Sequence, residues 1–118
     1  MKKPLKLSIE QELSREFPRG QSLDFIMYLP KNIPERYFIN WTPTAQLRKL
    51  YNPTAEGFIA DLEVTWTDER RIALRFRFDD TSEWPLGPAE FDVVLTSPSG
   101  WKVRTLPVRF TIVPGVTQ

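Results

Sequence analysis

The sequence predicts an all-β domain, specifically an immunoglobulin-like antiparallel β-sandwich of about seven strands with no long helix. Apolar and polar residues alternate in short runs, which is typical of strands with one buried and one solvated face. Turn-forming residues separate these runs, and 11 prolines accompany the connections. The 118 residues, of which 41% are hydrophobic and 26% charged, match a single globular domain over 1–118.

The first three strands are predicted over residues 5–10, 22–28 and 44–50, because apolar and polar side chains alternate in each. Residues 11–20 contain Pro18 and Gly20 and predict a loop, so 1–20 forms an N-terminal strand and loop available as an assembly arm. Two prolines within 29–40 predict a long connection. The side chains expected on the inner faces are Leu5, Leu7, Ile9, Leu23, Phe25, Met27, Ala45 and Leu47.

The next two strands are predicted over 58–66 and 72–78. Residues 68–71 between them predict a short hairpin turn that lacks the usual glycine. Asp80 or Thr81 is expected to cap a single turn after the second of these strands. Their inner faces are expected to carry Ala60, Leu62, Val64 and Trp66, then Ile72, Leu74, Phe76 and Phe78, with Ala73, Arg75 and Arg77 outward.

The last third of the chain predicts a hairpin around the turn 97–100, where Gly100 can adopt a positive φ. Pro107 removes a ladder donor from the second strand, which therefore either lies at an edge or contains a β-bulge. A bulge also accounts for a change of phase along this strand. Its inner-face residues are expected to be Phe91, Val93 and Leu95 before the turn, and Val108, Phe110 and Ile112 after it.

The composition argues against several classes of function. The chain has no cysteine and no histidine, which removes thiolate metal ligands and the commonest general base, and we predict no catalytic, metal or cofactor-binding residue. A net charge of +1 argues against a dedicated nucleic-acid-binding protein. No apolar run approaches the roughly 20 residues that span a bilayer, and we expect no membrane partner and no signal peptide.

Two tryptophans are candidates for contact with a partner. Trp101 follows the hairpin glycine, and Trp41 lies beside the proline-rich connection, whereas Trp66 is in phase with a predicted core face. Arginines on outward faces are expected to pair with acidic residues of neighbouring strands. These arginines are Arg75, Arg77, Arg104 and Arg109, and the expected partners are Asp61, Glu63, Glu90 and Asp92.

Several segments together resemble a family of small β-sandwich structural proteins of tailed bacteriophages. They are Leu86-Gly87-Pro88-Ala89-Glu90-Phe91-Asp92-Val93, Thr96-Ser97-Pro98-Ser99-Gly100, Val103-Arg104-Thr105 and the stretch from Val108 to Thr117. Upstream, Thr44-Ala45-Gln46-Leu47-Arg48 and Leu62-Glu63-Val64-Thr65-Trp66 are similar to two further family strands. The chain is also similar to the N-terminal domain of phage upper baseplate proteins. The resemblance covers roughly 20–117, with Ala89 where the pattern has tyrosine.

The resemblance implies a non-enzymatic virion protein, a tail-, baseplate- or fibre-associated connector whose partners are other virion proteins, in symmetric copies. It further implies assembly in the cytoplasm of a bacterial host. A capsid decoration or neck-collar protein is an alternative, and a free-standing carbohydrate- or peptide-binding module is an alternative from another class. The expected protein contacts are Leu5, Leu7, Ile9, Trp41, Trp101 and Pro107, on the first strand, two exposed tryptophans and the last strand.

Overall fold

The computed structural model describes residues 8–9, 16–50 and 57–115. In these residues the chain is all-β and contains no helix, which confirms the predicted class. The strands are β1 (Ser8–Ile9), β2 (Glu16–Pro18), β3 (Leu23–Tyr28), β4 (Thr42–Lys49), β5 (Phe58–Trp66), β6 (Ala73–Phe78), β7 (Gly87–Thr96), β8 (Lys102–Arg104) and β9 (Val108–Val113). Leu5 and Leu7, two of the expected contact residues, lie outside the described residues.

The strands form one curled, mixed sheet in the order β1-β3-β6-β5-β4-β7-β9-β2, and β8 also pairs with β7. Strand β5 connects the two halves of this sheet, because its first part pairs with β4 and its last part, 63–66, pairs with β6. All described pairs are antiparallel except β2 with β9. The wholly antiparallel arrangement predicted from the sequence was therefore wrong at this pair.

The curl brings the two halves of the sheet into contact across an aromatic core. Phe25 on β3 stacks on Phe76 of β6 with ring centroids 4.9 Å apart. Phe91 on β7 lies 5.9 Å from Phe25 and 5.3 Å from Phe76, although β7 pairs with neither of their strands. The expected inner faces of β3, β4 and β7 are buried, so the alternation was interpreted correctly there.

Strand β2 replaces part of the loop predicted over 11–20. Phe17 is buried against Trp84 and Phe110, with centroid distances of 5.7 and 6.0 Å. The chain then crosses to β3 through Gly20, whose φ is 102°, and Gly20 N–H donates to Thr81 Oγ1 at 2.8 Å. Because a three-residue strand with one apolar side chain carries no periodic signal, only the tertiary packing identifies it.

The strand predicted over 72–78 begins at Ala73, and Ala73 is buried rather than exposed. Arg71 adopts a φ of 57° in the preceding turn, the position where a hairpin commonly has glycine. Asp68 stabilises this turn by accepting the Arg70 N–H at 3.0 Å. After β6, Thr81 closes a turn with Trp84, whose N–H donates to the Thr81 carbonyl at 3.0 Å.

Pro107 lies at a bulge, the second of the two arrangements predicted for it. Strand β7 pairs with β8 up to the pair of Val94 and Arg104, and with β9 from the pair of Phe91 and Val108. Two β7 residues in between therefore oppose three residues, 105–107, on the other strand. Past the bulge, β2 pairs with 111–113 of β9 and covers that part of the last strand's edge.

Candidate docking surface

Several loops meet at the end of the molecule where β4 begins and β7 ends. The register places Thr42 opposite Thr96 and Thr96 opposite Lys102, so three strand ends lie side by side. Neighbouring strands are about 4.8 Å apart, which puts the starts of β4 and β8 roughly 10 Å from each other. The 29–41 connection and the 97–101 turn therefore occupy the same end.

The 97–101 turn presents Trp101 to solvent from a rigid base. Gly100 takes a φ of 98°, and its N–H donates to the Ser97 carbonyl at 3.0 Å. The buried Ser97 hydroxyl accepts the Trp101 N–H at 2.9 Å, while Ser97 N–H donates to the Trp101 carbonyl at 2.8 Å. The backbone of Trp101 is thus fixed on both sides, yet its side chain is 74% exposed.

The long connection is compact because it is a succession of turns. Tyr37 N–H donates to the Pro34 carbonyl at 3.2 Å, and Trp41 N–H donates to the Phe38 carbonyl at 3.0 Å. Arg36 and Asn40 adopt positive φ values of 65° and 66°, which reverse the chain direction. The Arg36 N–H also donates to the Arg70 carbonyl and ties the connection to the neighbouring hairpin turn.

A cluster of aromatic side chains packs against the core side of this connection. Phe38 is 2% exposed and contacts Tyr37, Trp41 and Trp66 at centroid distances of 4.8, 5.0 and 6.2 Å. The Trp66 indole Nε1–H donates to the Trp41 carbonyl at 2.9 Å. Tyr37 and Ile39 flank Phe38 and are about half exposed. Tyr37, Ile39 and Trp101 are exposed at the same end of the molecule, and we term these three residues the aromatic end.

Of the two tryptophans proposed for partner contact, the structure leaves only Trp101 largely exposed. Trp41 is half-buried and packs on the core, so its contribution is to support the connection. Pro107 is exposed beside Leu106, away from the aromatic end. Ile9 pairs with Met27 at the sheet edge opposite β2. Sequence reasoning missed Tyr37, Phe38 and Ile39, although a run of apolar residues in a polar connection was a visible signal.

The outer face of the β4–β7 region is polar and holds a groove of about 740 Å³. Arg104 donates to Asp92 at 2.9 Å and Arg109 donates to Glu90 at 3.0 Å, as the outward alternation predicted. Arg75 instead pairs with Asp24 of β3, at 2.6 Å, because β3 lies beside β6. The charges within each exposed pair neutralise each other, and because water and salt screen such pairs, they contribute little to the stability of the fold.

Hydrogen bonds from arginine lower the pKa values of two carboxyl groups elsewhere, Asp24 on β3 and Asp68 in the turn between β5 and β6. The Arg75 side chain holds the pKa of Asp24 below its ordinary value, and Arg70 does the same for the pKa of Asp68. A general acid would need a raised pKa instead. Across residues 16–50 and 57–115 no group of three acidic, histidine or cysteine side chains is arranged to hold a metal ion. The described residues include no helix that could cross a bilayer.

No protein-family model matches the chain, and no curated protein matches it. Among solved structures, the chain is similar to the GspB Siglec domain, with a TM-score of 0.55, 18% identity and 95% of the chain covered. It is also similar to CopC from Methylosinus trichosporium OB3b, with a TM-score of 0.53, 11% identity, and coverage of 97% of this chain and 98% of the other. The chain spans 58% of the length of the Siglec-domain structure. At these identities the similarity concerns the fold alone.

Proposed function

We propose that this chain is a non-catalytic, protein-binding connector that docks partner subunits through its aromatic end. The observation that carries the proposal is Trp101, which is 74% exposed on a turn whose backbone is fixed by Ser97. An indole held on a fixed backbone offers a large apolar contact area, and tryptophan is enriched among the residues that dominate binding energy.

The setting that the sequence resemblance implies is the virion of a tailed bacteriophage. We place the connector in the tail, baseplate or fibre, in symmetric copies beside other virion proteins; a capsid decoration or collar position is the alternative. The immunoglobulin-like sandwich is part of the same proposal. In support of it, the order β1-β3-β6-β5 matches the A-B-E-D sheet of that fold, and β4-β7-β9 matches its C-F-G sheet.

Mass spectrometry of purified particles of the phage that carries this coding sequence tests the setting. We expect the chain in the particles, and its absence from them overturns the virion role. Incorporation of Trp101→Ala should fall at least about tenfold, the equivalent of 1.4 kcal/mol of contact energy. Phe58→Ala is the matched control, because Phe58 is also an exposed aromatic residue but lies at the opposite end of the sheet, beside Arg48.

The second candidate is a free-standing carbohydrate- or peptide-binding module, and the same exposed indole favours it. An indole face can stack on a sugar ring or cover an apolar side chain of a peptide. A glycan array and a peptide array test this candidate, with Trp101→Ala and Phe58→Ala as the paired variants. The binding-module function would take the place of the connector function under two conditions. The chain must bind an array ligand and lose that binding in Trp101→Ala but not in Phe58→Ala, and it must be absent from the particles.

A further inference from the structure

The outer side of β8 is an unpaired strand edge within the described part of the chain. Among the described residues β8 pairs with β7 alone, through the pairs of Val94 with Arg104, Leu95 with Val103 and Thr96 with Lys102. The neighbouring strand β9 is different, since β2 covers part of it. An unpaired edge presents backbone donors and acceptors that can bind another extended chain.

The backbone groups on this outer side can be assigned to particular residues. Trp101 accepts from Ser97 N–H at 2.8 Å and Thr105 N–H donates to the Val93 carbonyl at 2.9 Å, so both residues turn their backbone groups toward β7. Backbone direction alternates along an antiparallel strand. The N–H and C=O groups of Lys102 and Arg104 therefore point away from β7 and toward the open side.

The side chains at this edge differ between its two faces. Lys102 and Arg104 are exposed on the outer face, whereas Val103 is half-buried against the core. Arg104 pairs with Asp92, but Lys102 forms no ion pair with any described residue. Exposed apolar side chains lie at the two ends of the edge, Trp101 at one and Leu106, 43% exposed, at the other.

We propose that β8 binds an extended segment of another protein as an added strand, and that this segment alternates acidic and apolar residues. Acidic side chains of the added strand would lie beside Lys102 and Arg104, and apolar ones would extend the Val103 face. This inference rests on the proposed connector function and specifies the chemistry of its partner. Two copies of β8 pairing about Val103 would put Lys102 opposite Arg104, and such like-charge pairs are unfavourable.

The probe is a short capped peptide of alternating glutamate and valine, added to the isotopically labelled chain and followed by amide NMR. We expect the largest shifts at the outward-facing amides of Lys102 and Arg104. The matched peptide with lysine in place of glutamate should bind at least about tenfold more weakly, a difference of 1.4 kcal/mol. Equal binding of the two peptides, or shifts confined to other strands, would overturn the proposal.

Variants of Lys102 separate the charge from the backbone contribution. Lys102→Glu should weaken binding of the acidic peptide about tenfold. Lys49→Glu makes the same charge change at an exposed residue of β4 and should leave the binding of this peptide unchanged. Lys102→Pro removes one outward N–H without breaking the β7 ladder and should weaken binding more than Lys102→Ala does. If Lys102→Pro does not fold, the comparison of Lys102→Glu with Lys49→Glu decides.

Two further outcomes separate this inference from the connector function on which it rests. A concentration-dependent dimer that Lys102→Pro abolishes would assign the edge to a second copy and overturn the acidic partner. If neither peptide binds while Trp101→Ala still loses incorporation into particles, the strand-addition proposal fails and the connector function stands. If neither peptide binds and Trp101→Ala is incorporated normally, the strand-addition proposal and the connector function both fail.

Discussion

Val93 and Thr105 exchange two hydrogen bonds across the bulge, but only one of them is between backbone groups. Thr105 N–H donates to the Val93 carbonyl at 2.9 Å, and Val93 N–H donates to the Thr105 side-chain Oγ1, also at 2.9 Å. The hydroxyl thus supplies the acceptor at the point where the paired strand changes register. Thr105 is 2% exposed, so water cannot replace it there.

Thr105→Val should therefore destabilise the fold by about 1–3 kcal/mol, because it leaves a buried N–H without an acceptor at similar side-chain volume. Thr105→Ser keeps the hydroxyl and should cost clearly less. Urea unfolding followed by tryptophan fluorescence measures both. A loss for Thr105→Val no larger than that for Thr105→Ser would contradict the dominant role assigned to the hydroxyl at the bulge.

Phe38→Ala should cost about 3–5 kcal/mol, the usual range for removing a buried aromatic side chain. Trp101→Ala should change stability by no more than about 0.5 kcal/mol, since most of its side chain is in water. Thermal unfolding of the two variants makes the comparison. A large loss of stability in Trp101→Ala would mean that Trp101 supports the fold. A loss of incorporation in that variant would then report unfolding and not the loss of a contact with a partner.

Thr81→Val tests the crossing between the two halves of the sheet. The fully buried Thr81 hydroxyl accepts from Gly20 N–H at 2.8 Å and donates to the Gln21 carbonyl at 2.6 Å. Losing both bonds should cost about 1–3 kcal/mol. Hydrogen exchange should show faster exchange of the Gly20 amide, while the amides of β4 keep their protection. Unchanged exchange at Gly20 would contradict this role.

Acid should destabilise the protein through Asp24. The Arg75 hydrogen bond lowers the pKa of Asp24 from 3.8, so the folded state binds this proton less readily than the unfolded chain. The resulting stabilisation is present above the unfolded pKa and is lost as the pH falls through the lower folded pKa. Asp24→Asn should reduce the dependence of unfolding free energy on pH below about pH 4. An unchanged dependence in Asp24→Asn would refute the assignment.

Gln46→Ala, on the outward face of β4, is the surface control for the two variants that remove buried hydrogen bonds, Thr81→Val and Thr105→Val. Gln46 is exposed and accepts a 3.0 Å hydrogen bond from Arg48, two residues along the same strand. We expect a change in unfolding free energy within about 0.5 kcal/mol, because water can replace this partner. Chemical denaturation measures it alongside Thr81→Val and Thr105→Val, and a loss as large as theirs would contradict the distinction between buried and exposed hydrogen bonds.

The sequence by itself determined the class of fold and most of its inner faces. Alternation along β3 and β7 marks their buried residues, since a strand turns every second side chain to the same side. The phase change between Val103 and Val108 likewise favours a bulge at Pro107, one of the two arrangements that the sequence left open. These signals are local, and each can be interpreted within a single strand.

Only the tertiary structure decided which residues outside the alternating strands are buried and which strand edges are open, because both depend on contacts between residues distant in sequence. Phe17 is buried only because β9 and Trp84 lie beside it, and Phe38 is buried only because its connection folds back over Trp66. Whether β8 or β9 presents a free edge depends on where β2 pairs, which no local pattern encodes. Contacts between residues distant in sequence leave no periodic trace, so the exposed position of Trp101 and the open side of β8 emerge only from the packed fold.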